Sequence, residues 1–331
     1  MQAAALVGET VLKTFNPEFA DVTAQYEFRE AGKGDIPSIC RLLFGWYGPS
    51  YPYPIKEFHP QGYYPVAIHR ETGQLVGFAK AVPYKGGGCV YELGGLIVHP
   101  DHRENKVAKY LTRMRMAWVK QQNAAGVYSE PVCYREDCAS QTNLLKVGGV
   151  LTGIQPGKYP GLMRDVLGRQ PETVLMYVRW LRGHTRLGHR TVFLPSYYDG
   201  ILHAYLPKTV YERPWDETFP EIPMPAPVYH DGFTVQAGSG SELVDVPANW
   251  PETEDIIHAL RQQGFRFCGV LPGFGRLADG RAYDYLRMYR LQARFIIEDG
   301  PFDFGKVHLV PQLGSLKQFC QSELLGEFPI E

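Results

Sequence analysis

Apolar and polar positions alternate over residues 26–30, YEFRE, as they do in a half-buried strand. After Gly34-Asp35 the period changes. Ile36, Ile39, Cys40, Leu42 and Leu43 share one helical face, with Asp35 as the N-cap. Residues 46–64 hold four prolines and five tyrosines and are expected to be a loop. Residues 66–69 and 75–82 read as strands around a hairpin turn at Glu71-Thr72-Gly73. Further on, 127–134 is a strand and 137–147 a helix that Gly148-Gly149 ends, and 151–154 starts another strand.

One stretch carries chemistry. Over residues 91–108, YELGGLIVHPDHRENKVA, strand formers Leu93, Leu96, Ile97 and Val98 stop at His99-Pro100. A charged turn follows, and then a helix over residues 107–123 with Leu111, Met114 and Trp118 on one side. A strand, a polar turn and a helix N-terminus make an anion site. The first helical amides lack intrahelical partners, and the helix dipole favours negative charge there. A phosphate-bearing ligand is expected, and Arg103 and Lys106 are placed to contact it.

This stretch resembles the acyl-CoA-binding core of the GCN5-related N-acetyltransferase (GNAT) superfamily, whose pattern is roughly L-x-V-x-P-x-x-R-x-x-G-x-G/A. Leu96, Val98, Pro100, Arg103 and Ala108 stand at the matching places, and Lys106 replaces the first loop glycine. The resemblance implies an α/β (α+β) fold: a central, mixed but mostly antiparallel twisted sheet flanked by helices. It also implies that Leu96, Ile97 and Val98 pair with pantetheine, and that the turn Arg103, Glu104, Asn105, Lys106, Val107, Ala108 holds the pyrophosphate. The order β-α-loop-β-β-β-α-β-α-β follows the family throughout. In the last family helix, Asp137 stands for the usual asparagine and Leu144 for the tyrosine that often protonates the departing thiolate.

Composition narrows the partners. The chain has 331 residues, 44% apolar and 21% charged, with a formal net charge of −1. Such a length favours two domains or one elaborated one. A balanced charge gives no global field toward nucleic acid or an anionic membrane, and no apolar run approaches a membrane span. The N-terminus does not read as a signal peptide. Six scattered cysteines without a C-x-x-C pair give no metal or disulfide framework and fit a reducing cytoplasm.

Beyond residue 155, strands are expected at 174–181, 191–195, 243–246, 267–271 and 283–291, and helices at 197–205 and 252–263. Residues 213–229 are proline-rich and read as an extended connector. LLKVGG followed by TGIQPG resembles LRQQGF followed by CGVLPG, an internal repeat without a second phosphate turn. The expected organisation is an N-terminal extension (1–25), an acyl-CoA-binding GNAT domain (26–182) and a degenerate GNAT-like C-terminal domain (183–331).

Acyl transfer from a thioester to an amine needs a polarised carbonyl, a base for the amine and in-line geometry. By the resemblance, the Val98 amide polarises the carbonyl and Glu92 is the base; a strand-end ion pair is the other reading of Glu92. Tyr134 and Tyr128, on the next strand, are candidates to protonate the thiolate, unless they are packing residues. Trp46, Tyr47, Tyr51 and Tyr53 fall where the family's first loop covers the acceptor, and His99 reads as structural. Cys133 ranks low as a nucleophile, being more readily a small core residue. The expected protein is a cytoplasmic N-acyltransferase using acetyl-CoA or a related acyl-CoA as co-substrate, with no metal. Its partner is a small-molecule amine, not nucleic acid or membrane, and a homodimer is allowed. A non-catalytic acyl-CoA-binding regulatory module, a carrier-protein-dependent acyltransferase and another thioester reaction such as decarboxylation are the alternatives.

Overall fold

The computed structural model describes residues 19–48, 55–84, 90–131, 139–159, 172–181, 193, 195, 198, 223–230, 241–278 and 282–291. They pack as two compact units, one up to Tyr128 and one from Ser129 onward. This division falls inside residues 26–182 and groups the segment after Tyr128 with the C-terminal repeat.

The first unit opens with α1 (Ala20–Gln25), β1 (Tyr26–Glu30), a 3-10 turn (Lys33–Asp35) and α2 (Ile36–Tyr47). Asp35 stands at the N-cap of α2 but makes no side-chain bond to that helix. Its carboxylate takes the Gly32 amide at 2.7 Å and the two Arg29 guanidinium nitrogens at 2.7 and 2.9 Å. The expected cap is therefore spent on the preceding 3-10 turn. Next come β2 (Pro65–His69), β3 (Leu75–Pro83), β4 (Val90–Val98), α3 (Val107–Gln121) and β5 (Gly126–Ser129). Strands β1 to β4 form an antiparallel meander, and β5 joins β4 in parallel. The β2–β3 turn is the expected hairpin, closed by His69 N–H to Gln74 O at 2.9 Å.

Alternation along β2 and β3 covers both sheet faces. Val66 and Phe78, a register pair, meet Ile39, Leu42 and Leu43 of α2. The next pair, Ala67 and Gly77, faces α3: a Cβ on Gly77 would lie 3.0 Å from Val107 Cγ1 and 3.1 Å from Leu111 Cδ1. Leu111 is fully buried, worth roughly 1.5–3 kcal/mol by burial of a leucine side chain. This close seat fixes α3, and hence its N-terminus, against the end of β4.

The second unit contains α4 (Ala139–Lys146), β6 (Val150–Tyr159), β7 (Glu172–Trp180), β8 (Val228–His230), β9 (Ser241–Pro247), α5 (Thr253–Gln262), β10 (Arg266–Arg276) and β11 (Ala282–Leu291). Its strands run β7-β6-β10-β11-β9-β8, all antiparallel. Two helices of this unit close with the same kind of bond. Gly149 N–H reaches Leu144 O at 2.9 Å, and Phe265 N–H reaches Leu260 O at 3.0 Å. Gly153 and Gly269, at matching places in TGIQPG and CGVLPG, pair with each other. A Cβ on Gly153 would lie 2.3 Å from Cys268 O, so only glycine lets these strands approach. The expected strand at 191–195 and helix at 197–205 lie outside the described residues apart from Phe193, Pro195 and Tyr198.

A charged cluster is buried here as well. Arg287 Nε and Nη2 hold Asp245 at 2.7 and 2.8 Å, and His230 Nε2 lies 2.6 Å from the same carboxylate. Burial pushes the Asp245 carboxyl up, but Arg287 and then His230 outweigh it and bring it down to about 2.

Candidate functional site

The site is built on β4. Its antiparallel pairing with β3 spans the strand from Tyr91↔Pro83 to Val98↔Gly77. Its parallel pairing with β5 covers only Val90↔Gly126, Tyr91↔Val127 and Glu92↔Tyr128. Among the described residues the parallel register with β5 does not continue past Glu92↔Tyr128, while the antiparallel register with β3 runs on to Val98.

A bulge sits at the divergence. The register jumps from Phe78↔Ile97 to Lys80↔Gly94, so Gly95 and Leu96 together oppose Ala79. Gly95 has φ 59°, the left-handed region that glycine enters without penalty. The sequence reading did not draw this bulge from Gly94-Gly95, although paired glycines inside a strand pattern are its signal. Gly94 also clears space on its face: a Cβ there would lie 2.6 Å from Lys80 Cε and 2.9 Å from Glu92 Oε1. Lys80 Nζ and Glu92 Oε1 are 3.5 Å apart, each about one-third exposed.

Beyond Val98 the chain makes a 3-10 turn, Pro100–His102, and enters α3. Lys106 is the N-cap of α3 at φ 60°, and Glu104 is left-handed too, at φ 64°. The position where the family pattern has glycine thus keeps a conformation suited to glycine. The Lys106 side chain makes no capping bond to α3, and the first turn of that helix carries no acidic residue. A helix N-terminus without a carboxylate in its first turn suits an anion. Tyr26 ties the turn down, its hydroxyl lying 3.0 Å from His102 Nδ1 and 3.2 Å from Asn105 Nδ2. His102 also lies near His69 and His99, with ring centroids 4.9 and 5.9 Å away. Burial, and then the neighbouring His69 and His99, lower its pKa against the opposing pull of Asp101.

The candidate donor-binding residues come together. Leu96, Ile97 and Val98 follow the bulge; Glu104, Asn105 and Lys106 are exposed on the turn. Val107 is different: its side chain is buried against Gly77, leaving only its backbone at the helix start, with half-buried Ala108 next to it. Arg103 stacks its guanidinium on Trp46, 3.8 Å from the ring centroid, and donates from Nε to Val98 O at 3.5 Å. Trp46 therefore packs against the turn between β4 and α3. Tyr47 ends α2, while Tyr51, Tyr53 and Tyr134 lie outside the described residues, as does Cys133. Tyr128 is 1% exposed and packs edge-on to Tyr84 at 5.0 Å. Leu144 is buried in α4 as the residue whose carbonyl closes the helix.

Among the described residues no three His, Cys, Asp or Glu side chains are grouped to hold a metal, and no helix is long and apolar enough to cross a membrane. Cys40 and Cys268 are thiols outside any disulfide, and Cys40 Sγ donates to Ile55 O at 3.5 Å.

Residues 35–133 match the acetyltransferase (GNAT) family model. Among solved structures, a GCN5-related N-acetyltransferase from Kribbella flavida is 16% identical, with a TM-score of 0.40, over 48% of this chain and 99% of that one. Nourseothricin acetyltransferase is 17% identical with a TM-score of 0.37, over 48% and 99%. The ribosomal-protein-S18-alanine N-acetyltransferase from Escherichia coli is 13% identical with a TM-score of 0.38, over 48% and 96%. No curated protein matches the sequence. Residues 35–133 are thus similar to the GNAT acetyltransferases.

Proposed function

We propose that the protein transfers an acetyl or other short acyl group from acyl-CoA to the amino group of a small molecule, directly and without an acyl-enzyme. The observation that carries this reading is the early end of the β4–β5 pairing at Glu92↔Tyr128, while β4 runs on to Val98 and into the turn at the start of α3. Leu96–Val98 would hold the pantetheine arm by strand-like hydrogen bonds. The turn amides, Lys106 and Arg103 would face the pyrophosphate. The acyl-CoA supplies an activated thioester carbonyl; the remaining chemistry is positioning and proton movement. As the amine nitrogen bonds the carbonyl carbon and the C–S bond breaks, Glu92 accepts the amine proton, and a proton from Tyr134 or Tyr128 reaches the thiolate. Lys80 Nζ lies 3.5 Å from the Glu92 carboxylate and holds it in place.

A tandem organisation supports one donor site per chain. The domain at 26–182 carries the phosphate turn; the half at 183–331 is a degenerate GNAT-like copy, supported by the matching helix ends at Gly149 and Phe265. Leu144 in place of tyrosine favours one second reading, a non-catalytic acyl-CoA-binding regulatory module. Two measurements separate these. Calorimetry with CoA should give one site per chain, and thiol release from acetyl-CoA should rise with a suitable amine in a panel. CoA binding without turnover selects the regulatory module; no CoA heat at millimolar ligand rejects both, and a stoichiometry near two rejects the degenerate second half.

A further inference from the structure

Arg115 lies on the buried stripe of α3, between Leu111 and Val119, and is 1% exposed. Its Nη1 donates to Lys80 O at 3.3 Å and to Gly94 O at 3.2 Å. Nη2 donates to Thr112 Oγ1 at 2.9 Å, and Nε has no partner. No carboxylate among the described residues pairs with it, and burial lowers its pKa to about 9. A buried guanidinium without a counter-charge is unfavourable, and an apolar side chain of similar length would fill the same space at less cost. What it does there is specific. Lys80 and Gly94 are the register pair at the bulge, facing each other across β3 and β4 just before β4 gains its extra residue. A single nitrogen thus ties both strands at the point where β4 turns from the line of β5.

We propose that Arg115 is a positioning residue for the acyl-donor site: it clips the carbonyls of Lys80 and Gly94 together, which sets the direction in which Leu96–Val98 present their peptide groups. The clip also fixes the backbone that carries Lys80, whose ammonium reaches Glu92. This rests on the acyl-donor reading of β4 given above. A misplacement of about 1 Å at a reacting centre can lower rates by roughly 10²-fold, so a small rotation of the bulge suffices to be felt.

The test uses Arg115→Met and Arg115→Lys in the full chain, with three readouts: CoA affinity by calorimetry, amide exchange at Gly95–Val98, and melting. Arg115→Met is expected to weaken CoA by about tenfold or more and to speed exchange at the bulge, while melting stays level or rises because a lone buried charge is gone. Arg115→Lys, which retains a donor for the two carbonyls, should recover part of both. A purely structural arginine would move melting and leave the affinity of the folded fraction unchanged. CoA affinity within about threefold of the unaltered protein, with unchanged exchange, overturns the proposal. If the unaltered chain binds no CoA, the donor reading fails by itself, and the exchange at Gly95–Val98 still decides the clip: faster exchange supports it and unchanged exchange overturns it. If Arg115→Met does not fold, Arg115→Lys and Thr112→Val carry the test; smaller changes in the same direction support the clip, and none overturns it.

Discussion

Lys80 holds Glu92 across the strand pair, ammonium to carboxylate at 3.5 Å, above a floor left open by Gly94. Both groups are about one-third exposed, so as a stabilising contact the pair is worth little, about 0–1 kcal/mol. Its value would lie in holding the carboxylate in position beside the divergence of β4 and β5. Glu92→Gln is expected to lower turnover by about 10²–10⁴-fold with CoA affinity unchanged, and the loss should shrink at high pH, where the amine is already free. Turnover within about threefold of the unaltered enzyme, with lower melting, would leave Glu92 only its ion pair.

Lys106 occupies a left-handed position that the family pattern gives to glycine. Its backbone strain is of the order of 1 kcal/mol, but glycine would lose a similar amount in the unfolded chain. Lys106→Gly should therefore melt within about 1 kcal/mol of the unaltered protein, whereas Lys106→Val should be clearly less stable, because a β-branched residue tolerates positive φ poorly. Equal melting of the two variants would show that the turn relaxes out of this conformation.

The buried Asp245 sets an acid limit. Its carboxyl titrates near about 2 in the folded protein, below its ordinary 3.8. The unfolded chain therefore binds the proton first. The group's contribution is fully present above roughly pH 4 and is lost as pH falls through about 2, amounting to about 2 kcal/mol. His102 acts in the same sense at milder pH. Its lowered pKa gives stability that is present above the ordinary histidine value of 6.5 and lost as pH falls through the folded value. Acid titration of unfolding should show both losses, and Asp245→Asn should flatten the lower one. An unchanged acid slope in that variant would contradict the assignment.

The glycine pair in the second unit admits no side chain. Alanine at Gly153 would place its Cβ 2.3 Å from Cys268 O and 2.6 Å from Gly269 Cα, both backbone atoms. Gly153→Ala is expected to lose roughly 1–3 kcal/mol or more, since the opposing strand must move as a whole. Gly264→Ala, in contrast, meets only the flexible Arg290 Cδ at 3.7 Å and should be limited to the strain of its φ of 88°. A chemical-denaturation series ranks the two, and Gly264→Ala as the worse variant would refute the close approach.

The sequence pattern located β1 to β4, the hairpin and the strand-turn-helix, because each is set by local periodicity or by a turn residue. Arg103 and Lys106 fall on the turn between β4 and α3, while β8 begins in the stretch that reads as an extended connector. What the pattern missed depends on register. The bulge at Gly95, the Lys80–Glu92 contact and the stacking of Arg103 on Trp46 all join residues from different elements. Arg115 was recoverable: an arginine on the apolar stripe of Val107, Leu111 and Val119 is out of place, and that conflict between residue and position was the signal. Asp35 shows the opposite error, a plausible cap that a closer arginine and amide claim.

A strand in the middle of a sheet is ordinarily safe from other chains, but β4 becomes half an edge where its β5 partner leaves off. Backbone groups at a sheet edge are a template for a further strand. If the donor arm binds at Leu96–Val98 as proposed, it would stand where a strand of the sheet would stand. An extended peptide would then compete with the donor for the same length of β4.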